Sequence, residues 1–394
     1  MSAELINHSP DLKRLRNEGY NIEVRDGFLL VHDVPYVTSN KTVDNGTLVS
    51  AIALASPKQT TQPNSHVCYF IGGYPHKEDG SRIQAIFNSS NPVQLTAAII
   101  ANHTFSAKPK NPYPDYYVKM TTYISILGMH VKAIHPKATA RTYRLLKDEK
   151  AEGVFTYIDT NSTRANIVAL NEKVIGQKIA IIGLGGTGSY VLDLLAKTPV
   201  AEIHLFDGDV FLQHNAFRSP GVATTEELER GLSKVEYYAA KYGELHNGII
   251  AHNVYVTSDN IHELADFTFV FICIDKPSAK KNLFRRLLDM NIPFVDTGMD
   301  VKRKNGGLIV MIRATAANAE KNDHLLSRVS FADDDEGENE YDDNIQIAEL
   351  NMFNAAMAVF RWKKMFGFYI DLEQEFHSLF VLNSSQMVND DTTS

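Results

Sequence analysis

The sequence predicts an α/β protein built on a mainly parallel sheet, preceded by a smaller α+β domain. Three observations lead there. From about Gly176 onward, short apolar strands alternate with helical patterns, the texture of βαβ units around a parallel sheet. Upstream of that point the strands alternate in polarity and meet at turn residues. The length, 394 residues, exceeds what one hydrophobic core usually organises, so two domains are expected, at 1–155 and 160–394.

Taken from the N-terminus, Ser9-Pro10-Asp11 ahead of Leu12, Leu15 and Gly19 predicts a short helix with Ser9 as N-cap, Pro10 in its first turn and Gly19 past its end. Ile22 to Arg25, the Asp26-Gly27 pair and Phe28 to His32 form a hairpin signal, because Asp-Gly tolerates the positive φ of a tight turn. Strands are expected at Thr47 to Leu54, Val67 to Ile71 and Gln94 to Ala101, followed by a helix from Asp115 to His130. Tyr113, Tyr116 and Tyr117 beside Pro112 and Pro114 read as local core rather than a docking surface. The size of this domain suits a module that recruits a partner.

In the second half, strands are expected at Lys178 to Ile182, Ile203 to Phe206, Ile250 to Val256, Phe267 to Ile274, Phe294 to Asp296 and Leu308 to Ile312. Ser189 to Lys197 places Val191, Leu194 and Leu195 on one helical face, and Asn344 to Phe366 is a longer amphipathic helix stopped at Gly367. A crossover loop is expected at about 313–343. Its last part, Asp333 to Asp343, carries eight carboxylates in eleven residues, a like-charge density that opposes compaction.

Composition removes several classes of function. At 44% hydrophobic and 22% charged the chain is of ordinary soluble composition, and no run approaches the roughly 20 apolar residues that span a bilayer. Met1 to Asp11 lacks a basic-then-apolar signal pattern, so neither secretion nor membrane insertion is expected. A net charge of −8 is no electrostatic footprint for nucleic acid. Cys68 and Cys273 lie far apart in apolar runs, which excludes a disulfide framework and an all-cysteine zinc site and makes the cytoplasm the expected location.

The segment from Ile181 to Ser189, reading Ile-Ile-Gly-Leu-Gly-Gly-Thr-Gly-Ser, follows an apolar strand and opens a helix. Glycine is needed there so that the backbone can turn sharply and let a phosphate approach its N–H groups at the helix N-terminus. Asp207, at the end of the next strand, stands where a carboxylate meets ribose hydroxyls. Gly183, Gly185 and Gly188 also fit the spacing used for a nicotinamide dinucleotide. The polar series downstream discriminates: Asp207, Asp209 and Val210, then Asn215 and Arg218, then Lys234, then Asp275. Two cations and several carboxylates suit a triphosphate, whose charge Arg218 and Lys234 would neutralise while Asp275 or Asp209 held Mg²⁺.

In this order the positions resemble the adenylyltransferase family of ThiF, MoeB and the ubiquitin-activating enzymes. The resemblance covers about 165–380 and implies a Rossmann-like adenylation domain using ATP and Mg²⁺. It implies that Gly183, Gly185, Gly186, Gly188, Ser189 and Asp209 line the nucleotide and that Asp207 binds ribose. Asn215, Arg218 and Lys234 would bind the triphosphate, and Asp275 the magnesium or the forming adenylate. Arg164 stands near the place of a family arginine that reaches the nucleotide of a partner protomer, which implies a homodimer. The implied reaction joins the C-terminal carboxylate of a ubiquitin-like or sulfur-carrier protein to AMP with release of pyrophosphate. The layout also resembles activating enzymes of bacterial ubiquitin-like conjugation operons that carry an extra N-terminal domain, so a conjugating enzyme is a further expected partner.

Two departures from the family matter. The crossover loop has no cysteine to take the acyl group, and the paired Cys-x-x-Cys motif is missing, so no zinc is expected. Either the protein stops at the adenylate, or a hydroxyl replaces the thiol and forms an ester. Thr315, Ser327 and Ser330 are the available hydroxyls, with His324 as an activator, and Thr315 is preferred because it follows the strand most closely. A nicotinamide-dependent oxidoreductase and an inactive binding scaffold are the rival readings. The first lacks an evident hydride donor–acceptor constellation, and the second should have lost Arg218, Lys234 or Asp275.

Overall fold

The computed structural model describes residues 2–144, 153–165, 167–329 and 345–389, and the acidic run Asp333 to Asp343 together with Ser330 lies outside them. The chain divides into two units, Met1–Leu146 and Lys147–Ser394.

The first unit opens with helices α1 (Ser2–His8) and α2 (Pro10–Asn17). Ser9 makes no side-chain cap; its Oγ instead accepts the Thr60 N–H at 3.0 Å. An antiparallel sheet follows, made of β1 (Asn21–Arg25), β2 (Phe28–Val37), β3 (Val43–Ala51), β4 (Val67–Ile71), β5 (Phe87–Ser89) and β6 (His103–Ser106), in the order β1–β2–β3–β4–β6–β5. Asp26 and Gly27 carry φ of +51° and +81°, the backbone the first hairpin demands. Helix α3 (Tyr116–Ile134) is capped by the Asp115 carboxylate, which accepts the Val118 N–H at 2.7 Å, and it packs Met120, Tyr123 and Leu127 against Leu29, Val31 and Phe70. Tyr113 and Tyr116 are buried as expected. The strand expected from Gln94 to Ala101 is instead a small hairpin, because the Leu95 and Thr96 amides both turn back to the Ile99 carbonyl.

The second unit holds a sheet of eight strands among the described residues. In chain order its elements are β7 (Lys178–Ile182), α4 (Gly186–Leu195), β8 (Glu202–Phe206), α5 (Lys234–Gly243), β9 (Ile249–His252), β10 (Phe269–Ile272), α6 (Pro277–Asp289), β11 (Phe294–Lys304), β12 (Gly307–Ala317), α7 (Ala348–Met365), β13 (His377–Val381) and β14 (Gln386–Asn389). The spatial order is β9–β8–β7–β10–β11–β12–β13–β14, parallel from β9 to β11 and antiparallel from β11 onward. Ile179 and Ile181 point into one core with Leu192 and Trp362, while Ala180 and Ile182 point into a second with Phe284 and Leu287. Both faces are therefore covered, which is why these strands read as continuous apolar runs.

Strands β11 and β12 are longer than the sequence suggested. Asn305 and Gly306 adopt φ of +52° and +78°, a tight turn that keeps the two strands paired from Phe294↔Ala317 to Lys304↔Gly307. The loop placed at 313 therefore starts only after Ala317. The register aligns Ile182, Ile272, Asp296, Thr315 and His377 in one row across the sheet, at the edge where the glycine loop leaves β7. No helix among the described residues is long and apolar enough to cross a membrane.

Candidate functional site

Gly183 follows β7 at φ +89°, a left-handed backbone that glycine enters without steric cost. A Cβ on Gly188 would lie 1.9 Å from the Gly183 oxygen, and one on Gly186 would lie 2.0 Å from Asn351 Nδ2, so these two glycines serve close packing. Gly185 differs. A Cβ there meets nothing within 4 Å, so its face is open. That open backbone stands at the start of α4, where unpaired N–H groups and the positive end of the helix dipole favour an anion. Ser189 is buried and its Oγ donates to the Gly186 oxygen at 2.7 Å; it closes the first helical turn instead of facing the open side, which corrects its expected place as a nucleotide ligand.

The two carboxylates after β8 part company. Asp207 is buried, its Oδ2 accepting the Leu184 N–H at 2.6 Å and its Oδ1 the Asp209 N–H at 2.8 Å. That makes Asp207 a brace between two loops rather than the ribose ligand that the resemblance implied, because both of its oxygens are turned to backbone amides. Asp209, with its side chain 51% exposed, is the carboxylate that faces outward. Lys234 opens α5, and its Nζ lies 2.6 Å from Asp209 Oδ2 and 3.5 Å from Asp207 Oδ2. Partial burial works to raise the Asp209 pKa, but hydrogen bonds from Lys234 and Tyr255 outweigh it and hold the carboxyl below its ordinary value.

Asn215 shapes the segment that carries Arg218: its Oδ1 accepts the Leu212 N–H at 2.8 Å and its carbonyl accepts Ser219 Oγ at 2.7 Å. Arg218 Nε is buried with no hydrogen-bond partner among the described residues. Asn351, from the first turn of α7, ties this segment to the glycine loop: Thr187 Oγ1 donates to its Oδ1 at 3.1 Å, and its Nδ2 donates to the Arg218 carbonyl at 3.3 Å. The His214 pKa is lowered by burial and then by the charges of Arg218 and Lys234. Asp275 is exposed, three residues past the end of β10, and the neighbouring Lys276 is close enough to act on Asp209. The described residues contain no group of three or more acidic, histidine or cysteine side chains arranged to hold a metal. Arg164 ends a short helix, Thr160–Arg164, and its side chain lies outside what the structure describes.

Thr315 is not an exposed loop hydroxyl. It is a fully buried residue of β12, with Oγ1 2.9 Å from His377 Nδ1 and 3.2 Å from Arg313 Nη1. The reason is the long β11–β12 pairing, which carries the strand past it. His324 does not reach it either: its Nε2 lies 2.9 Å from the Ala316 carbonyl oxygen. Ser327 Oγ donates to the His324 carbonyl at 2.9 Å.

Sequence reasoning missed the ionic cluster beside Thr315. Asp296 is wholly buried, 2.7 Å from Lys280 Nζ and 2.8 Å from Arg313 Nη1. A lone acid inside an apolar strand was the available signal, since buried carboxylates are almost always paired. Burial pushes the thiols of Cys68 and Cys273 up to about 12, so neither is activated as a nucleophile.

Comparison with known proteins adds to this geometry. Residues 161–363 match the ThiF family, and residues 10–160 match a domain of unknown function, DUF6791. Ubiquitin-like modifier-activating enzyme 5 of Drosophila ananassae is 27% identical over 161 residues, which covers 36% of this chain and 39% of that relative. Among solved structures, E. coli MccB with MccA-N7isoASN is 17% identical, covering 58% of this chain and 67% of that chain at a TM-score of 0.47. PaaA is 18% identical, covering 56% and 74% at a TM-score of 0.44.

Proposed function

The chain belongs to the ThiF family over more than half its length, and from that premise we propose that its second unit is an ATP-dependent adenylyltransferase acting on the C-terminal carboxylate of a ubiquitin-like protein. The observation that carries the reading is the open backbone of Gly185 at the start of α4, together with the Lys234–Asp209 pair and with Arg218, whose buried Nε has no hydrogen-bond partner among the described residues. The name of the curated relative supports the substrate class, although the chain spans only 39% of that relative.

In this reading the carboxylate oxygen attacks the α-phosphorus of ATP, the bond from that phosphorus to the pyrophosphate oxygen breaks, and an acyl-adenylate remains. No protein base is required, because the attacking carboxylate is already ionised near neutral pH. The glycine loop and α4 hold the phosphates, Arg218 and Lys234 offset charge that develops on them, and Asp209 accepts from the ribose. Catalysis then rests on positioning and fixed charge. An exposed carboxylate such as Asp275, together with phosphate oxygens, fits the sparse protein ligation of Mg²⁺. Bound there, the ion would supply charge neutralisation at the phosphates.

The reading includes a homodimer in which Arg164 reaches the nucleotide of the other protomer, and recruitment of the carrier by the N-terminal domain at 1–155. It stops at the adenylate, since the Thr315 hydroxyl is buried between His377 and Arg313.

The test is pyrophosphate–ATP exchange by the full chain with Mg²⁺ and a ubiquitin-like protein bearing a free C-terminal carboxylate. Carrier-dependent exchange that disappears in Arg218→Ala and Asp275→Ala is the expected result. Absence of exchange with any such carrier overturns the reading. Intact-mass analysis of the same mixture should show no covalent adduct; an adduct lost in Thr315→Val would add an ester step.

A further inference from the structure

Tyr255 lies three residues past the end of β9, at the sheet edge where Asp207 and Asp209 leave β8. Three features set it apart. Its hydroxyl donates to Asp209 Oδ1, the outward carboxylate of the nucleotide site. Its ring packs on Gly208, where an added Cβ would stand 2.7 Å from Cε2 and 2.9 Å from Cζ, so that position tolerates only glycine while the ring is in place. And the residue is nevertheless 60% exposed, so Gly208 occupies only one side of the ring.

The segment that carries Tyr255 is tied down. Asn260 Nδ2 donates to the Tyr255 carbonyl at 2.9 Å, while Asn260 Oδ1 accepts the Thr257 N–H at 2.7 Å. The hydrogen bond to Asp209 pushes the phenol up to about 12, so the hydroxyl stays a donor at neutral pH. An exposed aromatic ring is thus held in one place beside the ribose carboxylate.

From this juxtaposition we infer that Tyr255 is a specificity-determining residue of the nucleotide site, its ring forming the platform for the purine base and its hydroxyl orienting Asp209 toward the ribose. The inference rests on the nucleotide reading above. With the phosphates at the glycine loop and the ribose at Asp209, the base lies on the far side of the ribose from the loop, which is where the ring stands. Base–aromatic stacking gives affinity without contacting the phosphates, so the ring should matter for ATP and not for the triphosphate alone.

The experiment compares ATP with inorganic tripolyphosphate by calorimetric titration of the full chain with Mg²⁺, using wild type, Tyr255→Ala, Tyr255→Phe, Gly208→Ala and Arg218→Ala. Tyr255→Ala should weaken ATP about tenfold and leave tripolyphosphate unchanged. In exchange assays KM for ATP should rise while kcat holds, the sign of a contact made equally in ground and transition states. Tyr255→Phe should keep most of the ATP affinity but bind ATP and 3′-deoxy-ATP more nearly alike. Gly208→Ala, which displaces the ring sterically, should reproduce Tyr255→Ala. If Tyr255→Ala binds ATP as wild type does, or loses tripolyphosphate equally, the inference is overturned while loss of ATP in Arg218→Ala keeps the nucleotide reading. If wild type binds no ATP, both fall together.

Discussion

The Leu184 amide donates to Asp207 Oδ2 at 2.6 Å, joining the glycine loop of one parallel strand to the end of its neighbour. Because Oδ1 of the same carboxylate takes the Asp209 amide at 2.8 Å, one buried side chain sets the shape of both loops. The proposed nucleotide site is therefore braced from beneath by the fold itself.

That division of labour separates two alanine variants. Asp207→Ala orphans two backbone donors and should cost about 1–3 kcal/mol of stability, weakening ATP binding as a consequence. Asp209→Ala removes a half-exposed carboxylate and should lower ATP affinity with a smaller change in melting temperature. Melting curves paired with ATP titration check this, and equal melting temperatures would contradict the brace.

The glycines divide in the same way. Gly188→Ala places a methyl 1.9 Å from a backbone oxygen and should prevent native folding of the second unit. Gly185→Ala meets no atom within 4 Å, at a backbone φ of −70°, so the fold should persist with stability changed by less than about 0.5 kcal/mol. Its nucleotide affinity should nevertheless fall, because the methyl stands on the open side of the loop. Circular dichroism and ATP titration of the two variants distinguish these outcomes.

Asp296 balances Lys280 and Arg313 inside the protein. Removing a single partner of a buried ion pair costs about 3–5 kcal/mol, because the charge left behind is uncompensated. Asp296→Ala should therefore shift the urea midpoint strongly, while Lys280→Met, which leaves Asp296 paired with Arg313, should shift it less. A shift under 1 kcal/mol for Asp296→Ala would show that the cluster is hydrated and not structural.

His246 is fully buried, its Nδ1 accepting the Gly248 N–H at 3.0 Å and its Nε2 lying 3.1 Å from the Val200 carbonyl oxygen. This pairing fits only the neutral ring. Burial lowers its pKa from the ordinary 6.5, with the backbone hydrogen bonds opposing, and burial shifts His204 and His252 in the same direction. The unfolded chain takes up these protons near pH 6.5 and the folded chain only below it, so acid favours unfolding. Stability should be complete above that value and fall as pH drops from about 6.5 toward 5. Melting temperature across pH 5–8 measures it, and His246→Gln should flatten part of the slope.

Much of the parallel sheet and the glycine loop was legible in the sequence, because strand burial and loop φ are set by local residue types. The apolar runs at Lys178 to Ile182 and Phe269 to Ile272 could only be strands covered on both faces. The Asn305-Gly306 pair is an equally local turn signal, and it sets the extent of β11 and β12. By contrast, the burial of Thr315 and the pairing of Asp296 depend on which strands become neighbours. Tyr255 carried no signal at all: an aromatic residue between two strands declares nothing until the chain brings it against Gly208.

Local residue types set the glycine-rich turn at Gly183 to Gly188, the order of the polar residues that follow it, and the mainly parallel sheet beneath them. Those features are local, resting on backbone conformations that only glycine enters easily and on side-chain periodicity along a strand. The tertiary structure alone decided that Asp207 braces while Asp209 faces outward, that Thr315 is sealed, and that Asn351 holds the loop. The last of these joins Thr187 to a side chain 164 residues away. Exposure and partnership of a side chain are properties of the packed interface between elements, and no short stretch of sequence contains both sides of it.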